Sequence, residues 1–140
     1  MEYSEIQKKA KEIFDDILIP KNEMEEVLFT SIETAIKSQI ETDIDNVDDL
    51  TEKIFSAIYM ALNSNIPLED ALVKEDLFGY DELIKIAIDA FVEYVLFEGE
   101  YGEILYSTIV EAYPYLDEDE IDEIYLEVKK LGAEKIDSLT

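Results

Sequence analysis

The chain contains no cysteine, no histidine and no arginine, and only four glycines and three prolines. Without cysteine there are no disulfides and no thiolate chemistry, and the redox compartment leaves no trace. Without histidine the commonest general base, the usual catalytic triad and most zinc sites are excluded. The Glu-x-x-His pairs that build di-iron centres in helical bundles are excluded with them. Long apolar runs are also missing. The most apolar stretch, IAIDAFVEYVLF (86–97), is shorter than the ~20 residues a membrane span needs, and it carries Asp89 and Glu93. The opening stretch MEYSEIQKKAKEIF has no apolar signal core. These absences predict a soluble, cytoplasmic protein, in the host cytoplasm if its source is viral.

What is present is acid. Thirty-six Asp and Glu face eleven Lys, a formal net charge of −25 over 140 residues. Solubility needs a net charge of magnitude only ~2–8 in a small domain. The excess repels itself and weakens the compact state, so a functional reason is expected. Halophilic origin is the rival reason, against which stands the abundance of Ile and Lys. Direct nucleic-acid binding is disfavoured, because phosphates require a basic patch. Anionic membrane surfaces are disfavoured on the same ground. The expected partner is basic.

Apolar residues make up 48% of the chain, too many for a disordered acidic polymer. At this length folding can bury roughly 68–70% of the surface of the open chain. The apolar spacing is helical throughout. Tyr3, Ile6, Ala10, Ile13, Phe14 and Ile17 share one face of a helix over 2–18, which Pro20 stops. Asn22 with Glu25 reads as a capping box for a second helix, striped by Met24, Val27, Leu28, Ile32, Ala35, Ile36 and Ile40. ETDIDNVDD (41–49) reads as a polar connection. A third helix is expected over 47–63, with Leu50, Ile54, Ala57, Ile58 and Ala61 inward, then a short one over 67–75 opened by Pro67.

Residues 81–98 are apolar round most of the circumference, with Lys85, Asp89 and Glu93 as one narrow polar line. That pattern predicts a buried central helix, or one shared with a second copy in a homodimer. EGEYGE (98–103) reads as a loop. A helix to Ala112 follows, closed by Pro114. Asp117 with Glu120 caps a last helix bearing Ile121, Ile124, Val128 and Leu131, with Gly132 as its stop. The expectation is a single all-α domain, 1–140, of about six or seven helices. It has a less acidic N-terminal helical hairpin (1–41) and a strongly acidic core (42–140).

Several chemistries fail on their own requirements. DIDNVDDLTEKI (43–54) offers a calcium ion Asp48 where a loop needs its glycine and Ile54 where it needs its glutamate. DEDEIDEIYLEV (117–128) fails likewise, with Asp122 and Val128. The glycines of GEYGE have no lysine beside them and are no phosphate loop. Among so many acids, Asp89 and Glu93 are the best placed for paired-carboxylate catalysis. The plainer reading is that they line a solvent strip with Lys85. No metal and no cofactor is expected, and no enzymatic activity.

The acids themselves form a pattern. Between Lys85 and Lys129 there are thirteen acids and no base. On a helix, residues three or four apart lie ~5–6 Å apart. Glu118 with Asp122, and Asp119 with Glu123 and Glu127, therefore make rows. Phosphates along one DNA strand are spaced at ~3.4 Å of helix axis each. Rigid rows of carboxylates offer a DNA-binding protein a similar array of anions. Six of nine tyrosines fall in the same span, and tyrosine suits interfaces because it buries apolar area behind a polar tip. The alternative for the acids is a merely solvated face, and for the tyrosines an ordinary core edge. The candidate partner-binding residues are Glu98, Glu100, Tyr101, Glu103, Tyr115, Glu118, Asp119, Asp122, Glu123 and Glu127.

DDL at 48–50 and AIYMALNSNIP at 57–67 resemble a stretch of the Ocr-type phage anti-restriction proteins, which are small, very acidic, helical mimics of bent DNA. The matching positions are Asp48, Asp49, Leu50, Ala57, Ile58, Met60, Ala61 and Pro67, about twenty residues of the chain in all. Most are helix-core residues. The resemblance implies an anti-restriction or anti-CRISPR inhibitor, viral or from a mobile element, that evades host defence by blocking the DNA-binding channel of a basic host protein of the restriction, CRISPR or transcription machinery. The expectation from another class is a structural or adaptor protein that joins copies or partners through its 83–97 helix or its tyrosines.

Overall fold

A computed structural model describes residues 1–41 and 44–140. Thr42 and Asp43, within the expected polar connection, lie outside the described residues. Among those described there are seven helices and no strand. Helix α1 (Tyr3–Ile17) buries Ile6, Ala10, Ile13, Phe14 and Ile17, the stripe its spacing predicts. Tyr3 departs from it and is 55% exposed. Its ring lies at the edge of the stripe, and its hydroxyl reaches out to donate to Glu127.

Helix α2 (Asn22–Gln39) buries Met24, Leu28, Ile32 and Ile36. Its start is not the expected capping box. Asn22 lies in the left-handed region (φ 55°) and Lys21 is the N-cap, with no side-chain cap bond. Asparagine is one of the few residues that tolerates this backbone. Helix α3 (Ile44–Ser64) begins earlier than its polar sequence suggests. Val47 is buried there, and buried Thr51 donates to the Val47 carbonyl at 2.7 Å. Helix α4 (Leu68–Lys74) follows Pro67, and α5 (Asp81–Val95) follows Gly79.

Three helices end in the same way. Asn65, Asp76 and Phe97 are left-handed (φ 54°, 62° and 54°), and in each case the next amide donates back across the turn, Ile66 to Ala61, Leu77 to Leu72 and Glu98 to Glu93. These are Schellman ends. Asparagine and aspartate are easily placed there, but phenylalanine is not, at a cost of about 1–3 kcal/mol. Burial offsets that cost. The Phe97 ring is fully buried, edge-on to Phe14 at 6.3 Å between centroids. Because α5 ends in this tight turn, α6 (Glu100–Ala112) starts within EGEYGE rather than after it.

Helix α7 (Glu118–Leu139) opens on the expected capping box. The Glu120 amide donates to Asp117 at 2.9 Å and the Asp117 amide to Glu120 at 3.3 Å. It does not stop at Gly132. A Cβ on Gly132 would stand 2.1 Å from the Val95 carbonyl oxygen. The glycine is there to let α7 cross the end of α5 closely, not to end a helix.

Helix α5 packs on α2, α3 and α7. Leu83, Ile86, Ala87, Ala90, Phe91, Tyr94 and Val95 are buried on it. The Tyr94 hydroxyl donates at 2.8 Å to the carbonyl of Ile17, the last residue of α1. Its outer strip is wider than one line, since Ile88 is exposed beside Lys85 and Asp89. Helix α1 lies on α7 and α6, and α2 on α3, α5 and α6. Residues 1–41 are therefore not a self-packed hairpin, because each helix takes its main partners elsewhere. The buried apolar side chains form one core.

Candidate functional site

The sequence-derived candidates fall into three places. Glu98, Glu100 and Tyr101 line an open cleft of about 790 Å³ between α2 and the α5–α6 turn. Glu93 of α5 and Glu26, Val27, Thr30, Ser31, Thr34 and Ala35 of α2 complete it. No lysine lines it, and none of its four carboxylates has an ion-pair partner among the described residues.

Tyr101 is not a surface contact residue. It is 3% exposed, its ring set against Tyr94 at 5.2 Å between centroids. The α5–α6 turn is shorter than a loop over 98–103 would be, and this turns the ring inward. Its hydroxyl is buried and makes no hydrogen bond. Leaving such a group unpaired costs about 1–3 kcal/mol. Burial pushes its pKa up to about 12. The neighbouring Ser31 hydroxyl opposes that rise without standing in hydrogen-bonding geometry to the neutral phenol, and the Glu93 and Glu100 carboxylates add to it. Since Ser31, Glu93 and Glu100 all line the cleft, the phenol oxygen lies at its floor.

The second place is the groove between α6 and α7. Glu103, Tyr106, Ser107 and Tyr125 line a depression of about 460 Å³ with Gly99 and Gly102. Burial raises the Tyr106 pKa, and the carboxylates of Asp122 and Glu118 raise it further. That first row of α7 acids therefore faces α6. Tyr106 and Tyr125 meet edge to face at 6.1 Å.

The third place is the side of α7 next to α1. Glu123 and Glu127 share a shallow depression with Met1, Tyr3, Ile6, Leu126 and Lys130. Glu127 accepts from Tyr3, and neighbouring Glu120 lies 3.8 Å from the Met1 amino group. Asp119 is exposed on the same row. Lys130 lines this depression, whereas no lysine lines the α6–α7 groove. Tyr115 is 71% exposed, and its hydroxyl accepts from Lys9 at 3.2 Å. The same ammonium lies 4.5 Å from the centre of the Tyr113 ring.

Asp89 and Glu93 lie on the outer strip of α5. Both are exposed, and only Glu93 reaches the cleft. Among the described residues no group of three or more acids is disposed to hold a metal ion, and no helix is long and apolar enough to cross a membrane. The α2 wall of the cleft was missed in the sequence. Its signal was the small hydroxyls Thr30 and Thr34 away from the apolar stripe and Ser31 at its edge, where an ordinary solvated face carries long charged side chains.

The chain matches no protein-family profile, no curated protein and no solved structure.

Proposed function

We propose that the protein is a non-enzymatic inhibitor that occupies the nucleic-acid channel of a basic host protein, its carboxylates standing in for phosphates. One observation carries the reading. Among the described residues every side-chain ion pair lies early in the chain: Lys11–Asp15, Lys21–Asp16, Lys37–Glu33 and Lys53–Asp49. The acids of α4 to α7 have no lysine partner. Two lysines of α7 are engaged otherwise, Lys129 over the Tyr125 ring at 5.6 Å and Lys135 on the Asn65 side chain at 2.5 Å. The negative field over this part of the surface is therefore relieved by no lysine ion pair among the described residues, and it is carried on helices. The Glu118–Asp122 row, beside the groove that Glu103 lines, belongs to it. The resemblance to Ocr-type proteins lends support through local fold only, since Ala57, Ile58 and Ala61 are core residues of α3.

Association of this kind is fast and salt-sensitive. The test is capture of partners from host lysate on the immobilised protein at low salt, followed by competition with duplex DNA. The expected result is a DNA-binding protein that DNA displaces. Retention of nothing that binds DNA, or of partners DNA does not displace, overturns the proposal.

A second reading, an oligomerising or adaptor protein, draws on a different surface from the one expected. The 83–97 helix is used up inside the fold. Instead Val73, Phe78 and Tyr80 are 52%, 64% and 60% exposed around the α4–α5 turn. Light scattering across concentration separates the readings: a stable oligomer lost on Phe78→Ser favours the adaptor.

A further inference from the structure

We infer that the cleft between α2 and the α5–α6 turn is a binding site for an alkylammonium group, supplied by a free polyamine or by a lysine side chain of another protein. The inference does not rest on the nucleic-acid mimicry proposed above, which draws on the α6–α7 surface.

The cleft volume of about 790 Å³ is within the range of small-molecule sites. Its charge is of one sign, since Glu26, Glu93, Glu98 and Glu100 contribute carboxylates and no cationic side chain reaches it. A cation is the ligand such a field selects. The carboxylates are not gathered as metal ligands are. They share the lining with Val27, Ala35, Thr30 and Thr34. A lining that mixes carboxylates with apolar groups suits an ammonium carried on an alkyl chain, whose methylenes meet the apolar groups while its N–H donors reach carboxylates.

The independent observation is the Tyr101 hydroxyl. It is buried, unpaired, and next to Ser31 and Glu93 at the cleft floor. A phenol oxygen accepts as well as donates. An ammonium between Glu93 and Glu100 would donate to it, giving the hydroxyl the partner it lacks in the fold.

The test is calorimetric titration of spermidine and, separately, of Nα-acetyl-lysine amide into the protein in moderate salt. Saturable one-to-one binding of either is expected, and the tighter of the two identifies the source. The Glu93→Gln, Glu100→Gln double variant should weaken it at least tenfold. Tyr101→Phe should weaken it several-fold while leaving the melting temperature of the amine-free protein unchanged or higher, because it removes a hydroxyl that has no partner. A purely structural role for that hydroxyl would instead lower the melting temperature and leave binding alone. The proposal is overturned if binding does not saturate. It is equally overturned if Asp119→Asn, Glu123→Gln on α7 weakens binding as much as the cleft variants do, since that is the mark of diffuse counterion attraction.

Discussion

Replacing Gly132 with alanine should destabilise the protein, although helix propensity alone says the reverse. Glycine in a helix interior is about 0.8–1.0 kcal/mol worse than alanine. Gly132 is seven residues from the end of a helix that runs to Leu139, so an isolated α7 would gain from the change. In the fold, the new methyl would meet the Val95 carbonyl oxygen at 2.1 Å, the Val95 carbonyl carbon at 3.2 Å and the Phe97 ring at 3.4 Å. The first two are backbone and cannot rotate away. Relief requires α7 to move from the end of α5 by about 1 Å, disturbing the turn that holds Phe97. Overpacking of this kind costs typically about 1–3 kcal/mol. Here it comes without any new cavity to absorb it, so the upper half of that range applies. Net of the propensity gain, a loss of about 1–2 kcal/mol remains. In a chain of this size that is a fall of roughly 3–8 °C in melting temperature. Thermal unfolding followed by far-ultraviolet circular dichroism measures it directly. A melting temperature equal to or above the parent's would refute the close crossing and restore Gly132 as an ordinary helix residue.

Alkaline pH should unfold the protein. Burial raises Tyr101 and Tyr113 to about 12 and pushes Tyr94 higher still, against about 10 in an unfolded chain. Above pH ~10 the unfolded chain releases protons that the folded one retains, so stability is full below that pH and falls between about 10 and 12. Melting temperatures flat from pH 8 to 11 would contradict it. Tyr94→Phe should make the decline shallower while costing about 1 kcal/mol at neutral pH through the lost bond to Ile17. Added sodium chloride, from about 10 to 500 mM, should raise the melting temperature, because the ion pairs are few and exposed while repulsion at −25 is screened. A fall with salt would mean that attraction, not repulsion, dominates the surface.

The apolar faces of α1, α2 and α5 were legible because each is a stripe of period 3.6 that one neighbouring layer covers. The Asp117–Glu120 cap was legible because it is local: both bonds close within four residues. What failed depended on a second segment. Gly132 has the look of a helix stop, and only the Val95 carbonyl across the interface explains its place. EGEYGE has the composition of a loop, but Phe97 turns the chain so sharply that four residues suffice, and Tyr101 falls inward. The cleft joins residues some seventy positions apart, and its α2 wall carries hydroxyls that no charge pattern marks. Tyr3 fits a core stripe by spacing, yet its partner is Glu127.

That last contact spans 124 positions. Helix α2 packs on α3 and α3 on α4, neighbours in sequence, but α1 takes its main packing from α7, the last helix. Closing so long a loop is entropically slow relative to local pairing. Helix α1 should therefore be late to join during folding and early to leave under stress. When it leaves, Lys9 goes with it from Tyr113 and Tyr115, and so does the Met1 amine from Glu120. Fraying of this one helix would strip cations from the anionic surface and bare part of the apolar stripe of α7, so the charge the protein displays is tied to how firmly its first helix is held.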